Sequence, residues 1–533
     1  MGRTDRRRGV GWPSRGGRFV YTSTGMVAEA PIRTWRDWPT ALAAKLAAEW
    51  PLLCALLAGG LLRTLAVLGF RPALYINDSL EYVGVALRWQ AYTVRPDGYS
   101  AFLRLLLPFH SIALVVILQH IMGLAIGTMI YALLRHLRVR RWLATLACLL
   151  YLLDVHEIQL EHLLLSDTLF LLLLMAGVTL LAWQSKVSPW FAGAAGLLLA
   201  LSTLTRTVGI PLMVIAGLYL VVRWSGWRPL VAFVALAALP LAAYAGWFDH
   251  DHGDFAMSNS DGIYLYARVM AFADCGVIKP PSDVAMLCDS RPPSQRGLPS
   301  NFIWHQSPLE NLPGPKNGET ALAAARFTGL RNSRARQFAI DAIAAQPGAY
   351  LRTTWDYFSM TFHWSRPAYP SKLYLQEDSF SRHPTAIPFS RVAVAGATAG
   401  HDMTAYNDGD PSTHLVAPFA SLLLWYQRFG SVPGPILAGL LVVGFLGCVV
   451  RRRDARRGQV LLQWTMAMSL LVLTPLSAQF DNRYVLPALP FALTAAALSL
   501  AVLIPDWSTP DHRRVRRKPA FRMVDSPAPE AVV

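Results

Sequence analysis

Acidic and basic side chains stand directly beside long apolar segments at four places in this 533-residue chain. The first place, residues 71–104, holds Asp78, Glu81, Arg95 and Asp97. Asp78 and Glu81 are three positions apart, so on a helix both carboxylates would share one face. A carboxylate with a pKa tuned by its surroundings can accept the proton of an attacking hydroxyl, which is general base catalysis. The alternative is that these acids are solvated beside lipid headgroups.

Two arginines at other apolar boundaries are candidates for binding an anion. Arg206 is a lone cation between two apolar segments, and Arg483 begins the last apolar segment beside Asp481 and Tyr484. Arginine stays charged at any pH and holds phosphate through two parallel hydrogen bonds. We therefore predict phosphate binding at Arg206 and Arg483. A snorkelling Arg206 and a structural Asp481–Arg483 pair are the alternatives.

A further polar cluster precedes the apolar segment 162–183. It consists of Asp154, His156, Glu157, Glu161, His162 and Asp167. The two histidines lack a standard metal-ligand spacing, and the sequence holds no P-loop, dinucleotide fingerprint or Gly-x-Ser-x-Gly elbow. We predict no metal site, although a divalent cation is left open. Glu161 and Asp167 are the better functional candidates because apolar runs flank them, and we expect them to line an outer vestibule.

The elements that position these residues are predicted to be membrane helices. Hydrophobic residues make up 53% of the chain and charged residues only 15%, whereas a soluble chain carries about a quarter charged residues. This composition excludes an ordinary soluble enzyme and a disordered protein. Ten apolar segments approach the ~20 residues that a helix needs to cross a bilayer. They are roughly residues 50–70, 105–134, 142–158, 162–183, 189–205, 208–222, 229–248, 432–450, 459–480 and 484–504.

Basic residues set the predicted orientation. They follow the even-numbered segments, at Arg135, Arg138, Arg140, Arg141, Lys186, Arg223, Arg228, Arg451, Arg452, Arg453, Arg456, Arg457, Arg513, Arg514, Arg516, Arg517 and Lys518. By the positive-inside rule, both termini are then cytoplasmic. The net charge of +16 therefore comes mostly from the basic segments that set the membrane orientation, and we expect no nucleic acid partner.

The predicted fold class is an all-α polytopic membrane protein of the cell membrane, with an extracytoplasmic insert of mixed structure. The predicted regions are a basic cytoplasmic tail (1–49), a catalytic transmembrane module (50–248) with the outside loop 71–104, an extracytoplasmic region (249–431), three further spans (432–504) and a second basic tail (505–533). Met1 and Met26 are both candidate starts. Cys275 and Cys288 share the outside region and are able to pair in an oxidising compartment.

Four motifs, in this order, resemble those of bacterial GT-C fold glycosyltransferases, the broad group related to protein O-mannosyltransferases and lipid A aminoarabinose transferases. They are Asp78 with Tyr82, Pro96, Gly98 and Tyr99; Ser166-Asp167-Thr168-Leu169-Phe170; Leu204-Thr205-Arg206; and Arg483-Tyr484 with Pro487 and Pro490. The segment from Gln346 to Leu351 is also similar to the group. Together the motifs span about residues 50–500.

The resemblance implies an integral membrane, inverting glycosyltransferase whose donor is a polyprenyl-phosphate-linked sugar and whose acceptor is an unidentified glycan, lipid or protein. It makes Asp78 the catalytic base and assigns the donor phosphate to Arg206 and Arg483, with Arg95 as a further candidate. Tyr82 and Tyr99 join Glu161 and Asp167 as acceptor or vestibule residues. Asp78 lacks the adjacent second acid that is common in the group, so Glu81 and Asp97 stay candidates for a second carboxylate.

Three other functions compete with this one. A transporter or flippase of lipid-linked glycans would bind the same phosphate, but it usually contains an internal repeat or interrupted helices, which the sequence does not show. A polysaccharide ligase or polymerase would move a preassembled glycan from a pyrophosphate carrier. A membrane scaffold would not explain acids and arginines gathered at four outer membrane edges.

Overall fold

The computed structural model of the protein describes residues 19–22, 25–28, 49–305, 307–314, 325–450, 454 and 456–508. The chain divides into two compact units, residues 1–53 and 54–533. In the first unit, strands β1 (Phe19–Thr22) and β2 (Gly25–Ala28) form an antiparallel hairpin. Most of the predicted tails 1–49 and 505–533, and the basic cluster Arg451, Arg452 and Arg453, lie outside the described residues. The cytoplasmic location of these segments stays a prediction.

Helices form nearly all of the described secondary structure, as the composition predicts. In chain order they are α1 (Trp50–Gly69), α2 (Asn77–Arg88), α3 (Gly98–Leu106), α4 (Ile112–His136), α5 (Arg141–Leu152), α6 (Val155–His162), α7 (Asp167–Trp183), α8 (Pro189–Thr205), α9 (Gly209–Val222), α10 (Trp227–His252), α11 (Asp261–Val269), α12 (Cys275–Ile278), α13 (Asn301–Trp304), α14 (Gly329–Ala345), α15 (Pro347–Met360), α16 (Lys372–Glu377), α17 (Ala399–Asn407), α18 (Phe419–Tyr426), α19 (Gly434–Val449), α20 (Arg457–Ser477) and α21 (Leu489–Leu503). Short 3₁₀ helices cover Leu107–Phe109, Ala285–Leu287, Pro293–Gln295, Pro308–Asn311, Asn482–Ala488 and Pro505–Trp507. Strands β3 (Phe70–Arg71) and β4 (His414–Leu415) pair antiparallel and tie the end of α1 to the outer region.

Side-chain caps fix several helix boundaries. Ser111 accepts a hydrogen bond from the backbone of Leu114 at the start of α4, and Ser188 caps α8 just before its first-turn proline. Asp154 accepts from the backbone N–H groups of His156 and Glu157 at the start of α6. This cap interrupts the apolar run, so α5 and α6 form a pair bent by 50°.

Each of the ten predicted spans overlaps a helix, but the span 142–158 crosses the bend between α5 and the polar helix α6. Five described helices are long and apolar enough to cross a membrane, or six if the bent α5–α6 pair counts as one span. Helices α7, α8, α9 and α19 contain only 17, 17, 14 and 16 residues. At 1.5 Å per residue, 17 residues extend about 25 Å, less than the ~30 Å hydrocarbon core. The count of ten therefore stays a prediction.

The described part of residues 249–431 packs against the segment 71–104. One hydrophobic core joins Val83 of α2 and Tyr99 of α3 to Ile158 of α6, Phe338 of α14 and Met403 of α17. Within residues 249–431, the described helices alternate with irregular segments of similar total length. Cys275 and Cys288 form a disulfide.

The segment 335–364 divides into two helices with different surroundings. Pro347 begins α15, and the first helix, α14, buries Phe338 and Ala342 in the core. In the second helix Trp355 is 65% exposed. The first half is therefore a core helix, and the second half presents an exposed aromatic residue, as an interfacial helix would.

Helix α2 is held rigidly by the outer region. Arg88 makes a bidentate ion pair with Asp402 of α17, with bonds of 2.8 and 2.6 Å. The two helices approach closely at Gly84, where a Cβ atom would lie 2.9 Å from Val394 and 3.0 Å from the Asp402 carboxylate. Ser79 accepts the backbone N–H of Ile76 and fixes the first turn. Asp78 lies in that turn, so its position is set by packing on both sides of α2.

Candidate active site

A cavity of about 410 Å³ opens beside the first turn of α2. Its charged lining residues are Asp78, Glu81, Arg268, Glu377, Arg391, Asp481 and Arg483, and its tyrosines are Tyr264, Tyr374 and Tyr484. These residues come from α2, α11, the segments around α16 and the start of the last apolar segment. The fold therefore gathers residues more than 400 positions apart into one pocket with both acids and cations.

Asp78 lies between two arginines at the edge of this cavity. Its carboxylate accepts hydrogen bonds from Arg95 (3.1 Å) and Arg483 (3.3 Å), and its side chain is 27% exposed. Burial acts to raise the pKa of Asp78, but the charges of Arg95 and Arg483 outweigh it and hold the pKa below its ordinary value. Asp78 is therefore ionised and remains accessible.

Glu81 has the opposite character although it shares Arg95. Its carboxylate accepts from Arg95 at 2.7 Å, lies 3.8 Å from Arg391, and is 6% exposed. Burial raises the pKa of Glu81, Arg95 opposes that rise, and the neighbouring Asp78 charge adds to it. Two carboxylates with pKa values moved apart are suited to different roles, the ionised one accepting a proton and the other holding one.

Arg483 and Arg206 stack on one aromatic ring. The guanidinium carbons of Arg206 and Arg483 lie 5.0 and 5.1 Å from the ring centre of Tyr484. Arg483 also pairs with Asp481 at 3.0 Å, and Arg206 pairs with Asp167. Arg483 lines the cavity, whereas Arg206 does not. Arg206 thus contacts a lining tyrosine without lining the cavity itself, and its charge is already paired with an acid.

Tyr82, Tyr99 and Asp97 of the segment 71–104 make their contacts outside the cavity lining. Tyr82 donates to Ser166 (2.9 Å) beneath the Arg95 guanidinium, whose carbon is 5.0 Å from the ring centre. Tyr99 donates to Gln119 (2.5 Å). None of these three predicted site residues, Tyr82, Tyr99 or Asp97, lines the cavity. Their contacts instead shape the loop that carries Arg95.

Asp97 is buried in a small polar network. Its carboxylate accepts the backbone N–H of Tyr92 and the hydroxyl of Tyr244, both at 3.0 Å. Burial raises the pKa of Asp97 to about 7, although those two hydrogen bonds oppose the rise. This arrangement fixes the turn before α3, because both bonds tie the loop to its neighbours.

Glu161 is bound within the helix bundle. It pairs with Arg63 at 2.6 Å and with His120 at 2.8 Å, and His120 in turn contacts His162 at 3.0 Å. All four side chains are buried. Glu161 does not line the cavity, so the structure brings together Asp78, Glu81 and Arg483 from the predicted residues and places Glu161 elsewhere. Within the described part of the chain, no group of three His, Cys, Asp or Glu side chains is arranged to hold a metal ion.

Arg268 is the residue that sequence reasoning missed. It is fully buried, and donates from Nε to the Pro475 carbonyl (2.8 Å) and from Nη2 to the hydroxyls of Thr353 and Thr354 (3.0 and 3.1 Å). Its guanidinium carbon lies 4.6 Å from the ring centre of Tyr357. Nη1 has no hydrogen-bond partner, and Arg268 makes no ion pair with any described residue.

A buried charge is usually paired, because taking an ion out of water costs several kcal/mol. Removing one partner of a buried ion pair destabilises a protein by about 3–5 kcal/mol. Burial accordingly lowers the pKa of Arg268. An unpaired guanidinium in the wall of a cavity is a ready site for an anion. The sequence signal was an arginine inside the apolar and aromatic run 263–272, which reads IYLYARVMAF.

Comparison with known proteins gives low-identity matches to solved membrane transferases. No protein-family model matches the chain, and no curated protein matches it. The chain is similar to the Saccharomyces cerevisiae protein O-mannosyltransferase Pmt1–Pmt2 complex bound to its sugar donor. That match has 14% identity and a TM-score of 0.32, and covers 51% of this chain and 41% of the other.

Two other solved structures are similar over most of this chain. The Archaeoglobus fulgidus oligosaccharyltransferase AglB, in complex with an inhibitory peptide and dolichol-phosphate, matches at 12% identity over 86% of this chain and 51% of its own, with a TM-score of 0.39. ArnT from Cupriavidus metallidurans, bound to undecaprenyl phosphate, matches at 12% identity over 85% of this chain and 77% of its own, with a TM-score of 0.26.

The chain spans about half the length, or less, of the first two of these proteins. The matches agree with the group named from the motifs, which includes protein O-mannosyltransferases.

Proposed function

We propose that the protein is an integral membrane glycosyltransferase that moves a sugar from a polyprenyl-phosphate donor to an acceptor hydroxyl at the outer face of the membrane. One observation carries the proposal: a single cavity combines an ionised, accessible carboxylate, Asp78, with the guanidinium groups of Arg268 and Arg483. A phosphate-linked sugar is already activated, so its transfer needs a base and cations rather than a nucleotide.

The reaction is a single displacement in which Asp78 is the base. An Asp78 oxygen takes the proton of the acceptor hydroxyl, whose oxygen forms a bond to the anomeric carbon of the sugar. The bond between that carbon and the phosphate oxygen breaks, and polyprenyl phosphate leaves with the electron pair. Attack from the face opposite the leaving group inverts the anomeric configuration. Arg268 and Arg483 stabilise the negative charge that develops on the phosphate.

The contacts of the three arginines predicted to bind phosphate suggest different roles for them. Arg483 lines the cavity, and we propose that it contacts the phosphate directly together with Arg268. Arg206 is paired with Asp167 and stacks on the ring of Tyr484, so we propose that it positions Tyr484 and Arg483. Arg95 bridges Asp78 and Glu81, and in this proposal it orients the base.

Donor binding would also activate the base. Without donor, Arg95 and Arg483 hold the pKa of Asp78 low, which keeps it ionised but makes it a weak proton acceptor. A phosphate that attracts Arg483 away from Asp78 removes one of these charges, so the pKa of Asp78 rises. The acidic limb of the kcat profile should then lie at higher pH than that of kcat/KM, because kcat reports the donor-bound enzyme and kcat/KM the free enzyme.

The direct test is transfer by purified protein in lipid supplied with polyprenyl-phosphate sugars and candidate acceptors. We expect release of free polyprenyl phosphate together with a glycosylated acceptor, and a loss of about 10²–10⁴ in rate for Asp78→Asn. Asp249→Asn is the matched control, because Asp249 is exposed at the outer end of α10. Movement of the intact lipid-linked sugar across the membrane without release would identify a transporter instead. Full activity of Asp78→Asn would refute the assignment of the base.

A further inference from the structure

A second cavity, of about 730 Å³, borders the candidate active site. The segment 478–486 separates the two, because Asp481 and Arg483 line the first cavity while Phe480 and Asn482 line the second. None of the residues assigned above to base or phosphate binding lines the second cavity. The two cavities therefore present different surfaces to a ligand.

Two arginines, Arg366 and Arg428, line the second cavity without a salt bridge to a described residue. Arg428 is exposed and its side chain makes no ion pair or hydrogen bond with a described residue, while Arg366 donates only to the backbone carbonyl of Asp378 (2.9 Å). The acidic lining residue is Asp154, whose carboxylate already accepts backbone N–H groups of Val432 (2.7 Å), His156 (2.8 Å) and Glu157 (3.2 Å). Arg428 is thus available to an anion, and Arg366 keeps N–H groups for one although the carboxylates of Asp378 and Asp154 attract its charge.

The rest of the wall is apolar and borders membrane helices. Leu437 belongs to the apolar helix α19, and Leu489 begins α21, which continues one of the candidate spans. Trp364 and Phe429 line the same cavity and are 74% and 58% exposed. Exposed aromatic side chains beside apolar helices are typical of the interface between lipid tails and headgroups. A ligand here would meet cations at one end and hydrocarbon at the other.

We propose that this cavity binds an anionic phospholipid of the bilayer. Its phosphate accepts hydrogen bonds from Arg366 and Arg428, and its acyl chain lies against Leu437 and Leu489. Among the described lining residues of this cavity, no carboxylate is free to act as a base, since the backbone groups named above occupy Asp154. The occupant is therefore a bound lipid rather than a second reacting substrate, and it is independent of the transferase reaction.

The test compares phosphatidylglycerol with phosphatidylcholine of the same acyl chains, because the two differ in net headgroup charge. Lipid binding to the purified full-length protein is measured by native mass spectrometry. We expect a preference for phosphatidylglycerol of at least about tenfold, because the choline cation of phosphatidylcholine repels the two arginines and partly neutralises the phosphate that both headgroups share. Arg366→Gln and Arg428→Gln should each abolish most of that preference.

The control is Arg352→Gln, which removes an exposed arginine of α15 outside the cavity and should leave the preference unchanged. Arg428 is exposed, so its variant should fold even if Arg366→Gln does not. Equal binding of both lipids by the parent protein, or an unchanged preference in Arg428→Gln, would overturn the proposal. Displacement of phosphatidylglycerol by free polyprenyl phosphate with retained Arg428 dependence would overturn it as well, since the cavity would then belong to the donor.

Discussion

Replacing Arg268 with methionine separates an anion-binding role from a structural one. Arg268→Met keeps most of the side-chain length and removes the charge. It deletes the hydrogen bonds to Pro475, Thr353 and Thr354, and the Pro475 carbonyl left without its partner costs about 1–3 kcal/mol. The same change removes a buried, unpaired charge, a relief of several kcal/mol that opposes this loss. Without donor, the stability should therefore change little.

Donor binding should change much more. Nη1 of Arg268 is free to donate to a phosphate oxygen, and each charge-assisted bond contributes about 1.5–3 kcal/mol, or about 10- to 150-fold in affinity. A donor present at 100 times its Kd stabilises the folded protein by about 2.7 kcal/mol, and a 100-fold weaker Kd leaves about 0.4 kcal/mol of that effect. Thermal unfolding of both proteins, with and without polyprenyl-phosphate sugar, measures the difference.

The matched control is Arg296→Met. Arg296 lies outside the cavity, and its guanidinium nitrogens donate to the carbonyls of Arg291, Met270 and Asp289. We expect this variant to lose stability while its stabilisation by donor stays unchanged. If Arg268→Met instead unfolds easily and keeps the full stabilisation by donor, Arg268 supports the fold of α11 and our phosphate assignment is wrong.

Four other measurements test separate parts of the reasoning. Arg483→Ala should weaken donor binding by about 1.5–3 kcal/mol per lost charge-assisted bond, and Arg483→Lys should recover part of that loss. Arg206→Ala should lower activity less, because Arg206 only positions Tyr484. Donor affinity equal to that of the parent protein in both alanine variants would assign both arginines to structure. Burial raises the pKa of Asp97 to about 7, so its contribution to stability is greatest below pH 4 and is lost as the pH rises to 7. Asp97→Asn should remove that loss of roughly 4 kcal/mol, raise the melting temperature at pH 7 and keep transfer activity. An unchanged dependence of stability on pH in this variant would refute the prediction. The acidic limb of kcat should lie at higher pH than that of kcat/KM, and coincident limbs would show that the donor does not alter Asp78. Finally, a cysteine introduced near residue 300 should react with an impermeant reagent in intact cells, while cysteines near 186 and 226 should not; the reverse pattern would invert the predicted topology.

Local spacing was sufficient to predict the helices and one side of the cavity. Asp78 and Glu81 were expected on one helical face, and α2 carries both of them toward the cavity with Arg95 between them. The positions of the apolar helices were also predictable, because every predicted span overlaps a helix. Both results follow from interactions within a few residues or from the cost of exposing a polar backbone to lipid.

The partners of the charged residues could not be predicted, because they depend on contacts between distant segments. Asp97 and Asp78 are both acids beside apolar sequence, yet Tyr92 and Tyr244 enclose Asp97 while Arg483 meets Asp78 from more than 400 positions away. Glu161 likewise meets Arg63 across 98 positions.

The absence of an ion-pair partner for Arg268 among the described residues also could not be predicted from the sequence. Its lone charge in an aromatic run was visible in the sequence, but its importance lies in what it lacks among the described residues, a carboxylate partner. Arg206, Arg95 and Arg483 were more prominent in the sequence because they stand at the edges of apolar segments, and in the structure Asp167, Glu81 and Asp481 already neutralise part of their charge. An anionic substrate gains most from a cation that the protein itself has left unpaired, because no existing ion pair must be broken to bind it. The phosphate proposed here should therefore depend more on Arg268 than on the arginines that the motifs made conspicuous.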